Sequence, residues 1–317
     1  MFEKLKTIES VRKARIWLYD HRAFDSKVSW YAFLSSMGKK ILDNDTSERA
    51  ASVSYSLILA VFPTVIFLFT LIPYIPIDHL DDRIMAFFRR VLPGNTFSSV
   101  DTTIRDIVSR PRGNVLSLGF LLALYSATSG LVALMNAFNS SHTRADRRSF
   151  FKIRLTAVGL TFTLAFSLIL AIVVLIVGGV VSDYLLRFNI LNNDVFVYLL
   201  SLGRYLVVFA VFVAAVSVIY RYGPDINMRW KFVTPGSVGA SLLIVLTTLG
   251  FSYYVSNFGS YNKLYGSIGT LIALMIWINL IALLLILGFE MNVSLYDEGP
   301  GKPDQARPKT TNATSDR

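Results

Sequence analysis

AASVSYSLILAVFPTVIFLFTLIPYIPI, residues Ala50–Ile77, lies between Arg49 and Asp78 without one charged side chain. A helix needs about 20 such residues to cross about 30 Å of hydrocarbon. This run is therefore long enough to span a bilayer. The same pattern recurs from Gly113 to Ser140, between Arg154 and Asp183, from Val195 to Tyr220, from Phe232 to Asn262 and from Leu264 to Phe289. The fourth run is broken only by Arg204 near one end, from where a long side chain reaches the headgroups.

The chain as a whole fits such a solvent: of its 317 residues 53% are hydrophobic and 16% charged. Ordinary soluble domains carry roughly 25% charged residues. The alternating polarity that a membrane barrel requires is absent. The expected fold is all-α and polytopic: six transmembrane helices, an N-terminal interfacial helix and a short helical external loop. Three regions follow, with residues 1–46 a basic amphipathic cytoplasmic segment, 47–297 the membrane domain and 298–317 a disordered tail. Residues Met1–Leu42 lack the apolar core of a signal peptide, so the first span is expected to direct insertion. With no cysteine, thiol catalysis, thiolate metal sites and disulfides are excluded.

Of the 31 Lys and Arg residues, 22 fall on the side of the termini and 8 on the other, with Arg204 inside a span. The positive-inside bias places both termini in the cytoplasm. The net charge of +10 does not point to nucleic acid, because the basic residues flank apolar spans rather than a soluble aromatic platform. Their expected partners are membrane lipids of anionic or glycolipid type.

Trp30, Leu34, Met37 and Ile41 align on one helical face opposite Ser36 and Lys40, a pattern for a helix on the membrane or packed on the bundle end. Asp45 followed by Glu48 reads as a capping pair for the first span. Pro63 removes a backbone hydrogen bond in mid-span and marks a kink or hinge. The external segment Asp78–Arg112 reads as two short amphipathic helices split by Pro93-Gly94-Asn95. Small residues four apart, Ser126 with Gly130 and Gly236 with Ala240, predict close helix contacts. Gly266 and Gly269 do the same, and a homo-oligomer is compatible with such surfaces.

No catalytic constellation, metal-ligand set or cofactor motif emerges. His21, His79 and His142 are scattered, and no phosphate-binding Gly-rich loop is present. Glu290 closes a long uncharged run, where a carboxylate needs a cationic partner such as Arg49, and it is a candidate for a structural contact or for coupling. Asn136 and Asn139 end the second span on the same side. Asn257–Gly269, NFGSYNKLYGSIG, joins the last two spans at the outer face, with about eight residues, Phe258–Tyr265, between the helices. Its Asn257, Ser260, Tyr261, Asn262 and Tyr265 are candidates for satisfying backbone groups or for meeting a polar headgroup. With Glu290, Asn136 and Asn139 they form the set of substrate-pathway candidates.

SYNKLYGSIGTLIALMIWINLIALLLILGFEMN resembles the C-terminal signature of the YihY/BrkB family of bacterial inner-membrane proteins. RAASVSYSLILAVFPTVIFLFTLIP resembles its first span and YSATSGLVALMNAFN its second, so the resemblance covers Glu48–Leu295. It implies a six-helix inner-membrane protein. Members have carried the label ribonuclease BN, read as a misattribution; some are linked to serum resistance and one to movement of a lipid A precursor. The expectation is a non-enzymatic transporter or flippase-like protein for an amphiphilic envelope precursor, with a membrane scaffold as the alternative.

Overall fold

The computed structural model describes residues 16–24, 26–75, 113–141, 148–187, 194–225, 230–257 and 259–296, with a few isolated positions between 82 and 102. Side chains are not described at 183, 185–187, 194–198, 256, 257, 259–268 and 270. The helices are α1 (Trp30–Leu42), α2 (Asn44–Leu71), α3 (Gly113–Ser140), α4 (Phe150–Arg187), α5 (Asp194–Tyr222), α6 (Pro235–Asn257) and α7 (Gly259–Tyr296). A 3-10 turn, Ile72–Tyr74, extends α2. Six helices, α2 to α7, are long and apolar enough to cross a membrane. Helices are the expected solution there, because a backbone in hydrocarbon must satisfy its own hydrogen bonds.

The spanning helices pair as α2/α3, α4/α5 and α6/α7, and neighbouring pairs touch so that α7 returns to α2. One end of the bundle, the base, gathers the helix ends at 44, 140, 150, 222, 235 and 296; the other, the tip, gathers the ends at 71, 113, 187, 194, 257 and 259. The α2/α3 contact is close along its length. A methyl at Gly130 would strike Leu57, and one at Gly119 would sit 3.6 Å from the Phe67 backbone. Small residues thus let these backbones approach. Ser126, one turn from Gly130, is half-buried.

At the base the core is dense. Phe138 of α3 stacks on Phe289 of α7 at 4.4 Å, and Tyr220 of α5 meets both rings edge-on. The Tyr220 hydroxyl donates to the Leu285 carbonyl at 2.7 Å. α6 and α7 meet through Gly236, Ala240 and Gly288, where added side-chain atoms at Gly236 would collide with the Gly288 carbonyl and the Asn292 amide. The tip halves of α4 to α7 differ: between 161 and 182, 199 and 212, 245 and 255, and 271 and 281, no described residue is buried. Gly269, nearer the start of α7, is buried.

Three expectations are corrected by the backbone and its contacts. Asp43, not Asp45, caps α2, its side chain accepting from the Asp45 N–H at 3.2 Å. The helix begins directly after α1, so Asp43 ends one helix and opens the next, while Asp45 turns to Arg49 one turn on. The face of α1 that packs is Trp30, Phe33, Ser36, Met37 and Lys40, so Trp30 and Met37 of the expected face lie in it while Leu34 and Ile41 are exposed. An apolar count alone misses a packing face whose opposite surface carries a carboxylate and a hydroxyl. The polar stretch 259–269 is the helical start of α7, leaving Phe258 between α6 and α7 rather than eight residues. Uncharged Asn, Ser and Gly suit initial turns, whose first N–H groups have no partner within the helix.

Pro63 lies inside α2, which continues through it as a helix, and the Thr64 hydroxyl donates to the Ala60 carbonyl at 2.7 Å. Most of the segment 78–112, expected as two short helices, and all of the tail 298–317 lie outside the described residues.

Candidate functional site

The base is built around one carboxylate. Glu290, near the end of α7, is 2% exposed. Its Oε1 accepts from both terminal nitrogens of Arg49 on α2, each at 3.2 Å, and its Oε2 accepts from the Lys40 ammonium on α1. The Arg49 guanidinium also donates to the Ala137 carbonyl at 2.9 Å and the Ser141 hydroxyl at 3.0 Å, and its Nε lies 3.1 Å from Asp45. Four segments of chain thus meet at one ion cluster.

Such a carboxylate is costly to desolvate unless its partners are held in good geometry. Here one arginine supplies several donors, as its planar fork allows. The Arg49 pairing expected from the sequence is present. Lys40 was missed, because it lies on the face of α1 opposite the apolar residues read as the packing side. The adjoining apolar contact of Val28, Phe33 and Met37 with Leu295 and Met291 holds α1 across the end of α7, and the Ser36 and Ser294 hydroxyls lie 3.2 Å apart.

A second polar group fixes the start of α6. Asn292 accepts from the Gly236 N–H at 2.9 Å and donates to the Thr234 hydroxyl at 2.8 Å. Thr234 accepts from the Ser237 N–H at 3.1 Å, and Ser237 returns a bond to the Thr234 carbonyl at 2.9 Å. The Ser217 hydroxyl of α5 donates to Ser237 at 3.0 Å. These groups are buried, so their mutual satisfaction is what makes the site tolerable. Asn292 was not singled out in sequence, although the Thr234-Pro235 helix start marks the end it serves.

The asparagines of α3 part company. Asn139 is buried and accepts from the Asp225 N–H at 2.8 Å, beside the Arg148 bond to the Gly223 carbonyl at 2.8 Å. Asn136 is exposed, and its carbonyl accepts from the Ser140 hydroxyl at 3.0 Å. The side chains of Asn257, Ser260, Tyr261, Asn262 and Tyr265, and the surroundings of Gly266, lie outside the described set. Their backbone belongs to the tip ends of α6 and α7, at the opposite end of the bundle from Glu290. The pathway candidates therefore fall at two ends rather than in one cluster.

Arg154 of α4 and Arg204 of α5 lie within spans, and their surroundings differ. Arg154 of α4 donates to Thr128 at 2.9 Å and Ser129 at 3.1 Å, and its guanidinium sits 4.5 Å from the Tyr125 ring centroid. Arg204 of α5 runs its stem along Gly178 and Gly179 of α4, and its guanidinium lies 5.1 Å from the Tyr205 ring centroid. Its Nε is buried and has no hydrogen-bond partner. Among the described residues, no group of three or more His, Asp or Glu is placed to hold a metal ion.

Six spanning helices locked at one end by a buried ion cluster define a polytopic α-helical membrane protein. The chain belongs to the virulence factor BrkB family, whose model matches residues 37–312. It is similar to a Bacillus subtilis protein named as ribonuclease-like, YfkH, with 30% identity over 279 residues, covering 85% of this chain and 99% of that protein. A UPF0761 membrane protein of Tolumonas auensis is 26% identical over 266 residues, 78% of this chain and 79% of its own. The UPF0761 membrane protein Smlt0865 of Stenotrophomonas maltophilia is 22% identical over 292 residues, 91% of this chain and 66% of its own. No solved structure matches the chain.

Proposed function

We propose that this chain is a bacterial inner-membrane transporter of flippase type, moving a lipid or other amphiphilic envelope precursor. The supporting observation is the contrast between a base closed by Glu290, Arg49 and Lys40 and the stretches 161–182, 199–212, 245–255 and 271–281 of α4 to α7, where no described residue is buried. An amphiphile needs a polar route for its headgroup and lateral access for its chains. Helix pairs joined firmly at one end supply a hinge for both. Opening the base requires Glu290 to part from Arg49 or Lys40, so this carboxylate is the proposed coupling group. Carboxylates at such depth in membrane proteins commonly mark substrate or ion pathways.

The basic excess on the side of the termini supports a cytoplasmic base. The proposal assigns no catalytic step, cofactor or metal, and no nucleic-acid partner. YfkH bears a ribonuclease-like name, but the route proposed here involves movement rather than bond cleavage.

Reconstitution into proteoliposomes tests the reading, with labelled anionic phospholipids and glycolipids followed across the bilayer with and without a proton gradient. Wild-type protein is expected to move at least one of them. Absence of movement across the whole panel would remove the main support. Since the chain has no cysteine, single cysteines report access directly. Ser201→Cys and Thr247→Cys at the tip are expected to react with a polar thiol reagent faster than Ser217→Cys and Ser241→Cys at the base, because buried thiols are inert.

A second reading, a non-transporting scaffold, has its own support in α4: none of the residues in its most apolar stretch is buried. That surface is available to lipid, a second copy or another membrane helix. A stable crosslinked partner retained without any lipid movement favours the scaffold.

A further inference from the structure

We propose that Arg204, lying across the Gly178–Gly179 notch of α4 beside Tyr205, is a contact site for the phosphate of an anionic lipid headgroup. The inference builds on the amphiphile reading for its role, but its test measures binding alone. Arg204 lies inside the span Leu199–Tyr222, toward the tip. A charged side chain at that depth is expensive to hold unless paired. Among the described residues no acidic group pairs with it; the contact found is a 3.5 Å approach of Nη2 to the neighbouring Tyr205 hydroxyl.

The notch explains how the side chain is held. A Cβ at Gly178 would lie 2.7 Å from the Arg204 Cδ and 3.1 Å from its Cγ, while one at Gly179 would lie 3.4 Å from Nη1. The stem therefore occupies space that any larger residue at Gly178 would take. Helical side chains lean toward the N-terminal end of their helix, which for α5 is the tip, so the Arg204 stem leans toward the tip-side headgroup level. The Tyr205 ring helps to hold the cation near that level.

Arg154 supplies the internal comparison. From α4 it already reaches two hydroxyl acceptors and an aromatic face on α3. Its donors serve helix packing. Arg204 keeps a buried Nε–H without an acceptor, which carries a desolvation cost. A small rotation of the guanidinium would bring Nε and a terminal nitrogen together onto one phosphate, the bidentate geometry arginine favours. The ligand class is thus a lipid bearing a phosphate with net negative charge.

The test is native mass spectrometry of the purified full chain in mild detergent, with phosphatidylglycerol and phosphatidylcholine as probes. Wild type should retain phosphatidylglycerol in preference. Arg204→Gln should weaken that retention about tenfold or more, as for loss of a charge-assisted contact. Arg204→Lys should fall between, and Arg154→Gln should leave the preference unchanged. If Arg204→Gln is poorly folded, Gly178→Val displaces the stem while keeping the charge and should give the same loss.

Equal retention by wild type and a folded Arg204→Gln protein overturns the site. So does an equal loss in Arg154→Gln, which would signify general surface charge. Displacement of the lipid by millimolar inorganic phosphate would overturn the lipid assignment in favour of a free anion. Selective binding without movement in proteoliposomes leaves the site standing and removes the transport reading. Movement with Arg204-independent binding does the reverse.

Discussion

The base and the tip of this bundle are made from the same helices, yet they are stabilised differently. At the base, Phe138, Tyr220 and Phe289 interlock, Glu290 binds two cations, and Gly236 and Gly288 bring α6 and α7 close together. At the tip, α6 and α7 are joined by Trp277, whose ring stacks on Phe251 and whose N–H reaches Thr248 at 3.3 Å. In a bilayer, apolar burial does not by itself draw helices together, so packing and polar contacts decide which halves hold. Mutational cost should therefore be large at the base and small at the tip.

The largest effect is expected at Glu290. Glu290→Gln leaves Arg49 and Lys40 facing a neutral amide, and breaking a buried pair on one side costs about 3–5 kcal/mol. Thermal unfolding in detergent should show a clear loss of stability. The double variant Arg49→Met with Glu290→Met should recover part of it, since it removes the buried arginine and carboxylate together and leaves only the part-exposed Lys40 to turn to solvent. A Glu290→Gln protein as stable as wild type would break the comparison.

A middle range belongs to the α6/α7 contact. Asn292→Ala strips the Gly236 N–H and the Thr234 hydroxyl of buried partners, at about 1–3 kcal/mol. Gly236→Val forces atoms into the Gly288 carbonyl and should cost about 1–3 kcal/mol or more. Both are measured by the same unfolding experiment. If the two variants do not differ from wild type, the helices are held elsewhere.

Much of this base was legible in sequence, and the missing parts have common causes. Uncharged runs delimit the spans because hydrocarbon penalises every charge, so Gly113–Ser140 was read to its ends. Glu290 with Arg49 was legible for the same reason: an acid after a long apolar run needs a cation. Lys40 was not, since α1 packs through a mixed face that hydrophobic periodicity treats as solvated. Gly288 and Asn292 were overlooked because a single glycine or asparagine near a helix end carries no periodic signal. Their meaning comes from Gly236 and Thr234, more than 50 residues earlier in the chain. At the tip, the sequence marked Asn257–Gly269 as polar but not as the opening turns of α7.

The smallest effect separates the halves most sharply. Thr248→Ala removes the acceptor of the Trp277 N–H, a part-buried bond between two tip segments. By its chemistry alone it resembles the base variants, since a donor loses its partner. Its surroundings differ, because no described residue from 245 to 255 or from 271 to 281 is buried. Interhelical hydrogen bonds in membrane proteins average about 0.6 kcal/mol. Thr248→Ala should therefore unfold within about 1 kcal/mol of wild type, well short of Asn292→Ala. A cost equal to that of Asn292→Ala would mean that α6 and α7 are held as firmly at this level as at the base, and the proposed lateral access at the tip would lose its support. A small cost, paired with faster cysteine labelling at Thr247 than at Ser241, is what helix pairs hinged at the base require.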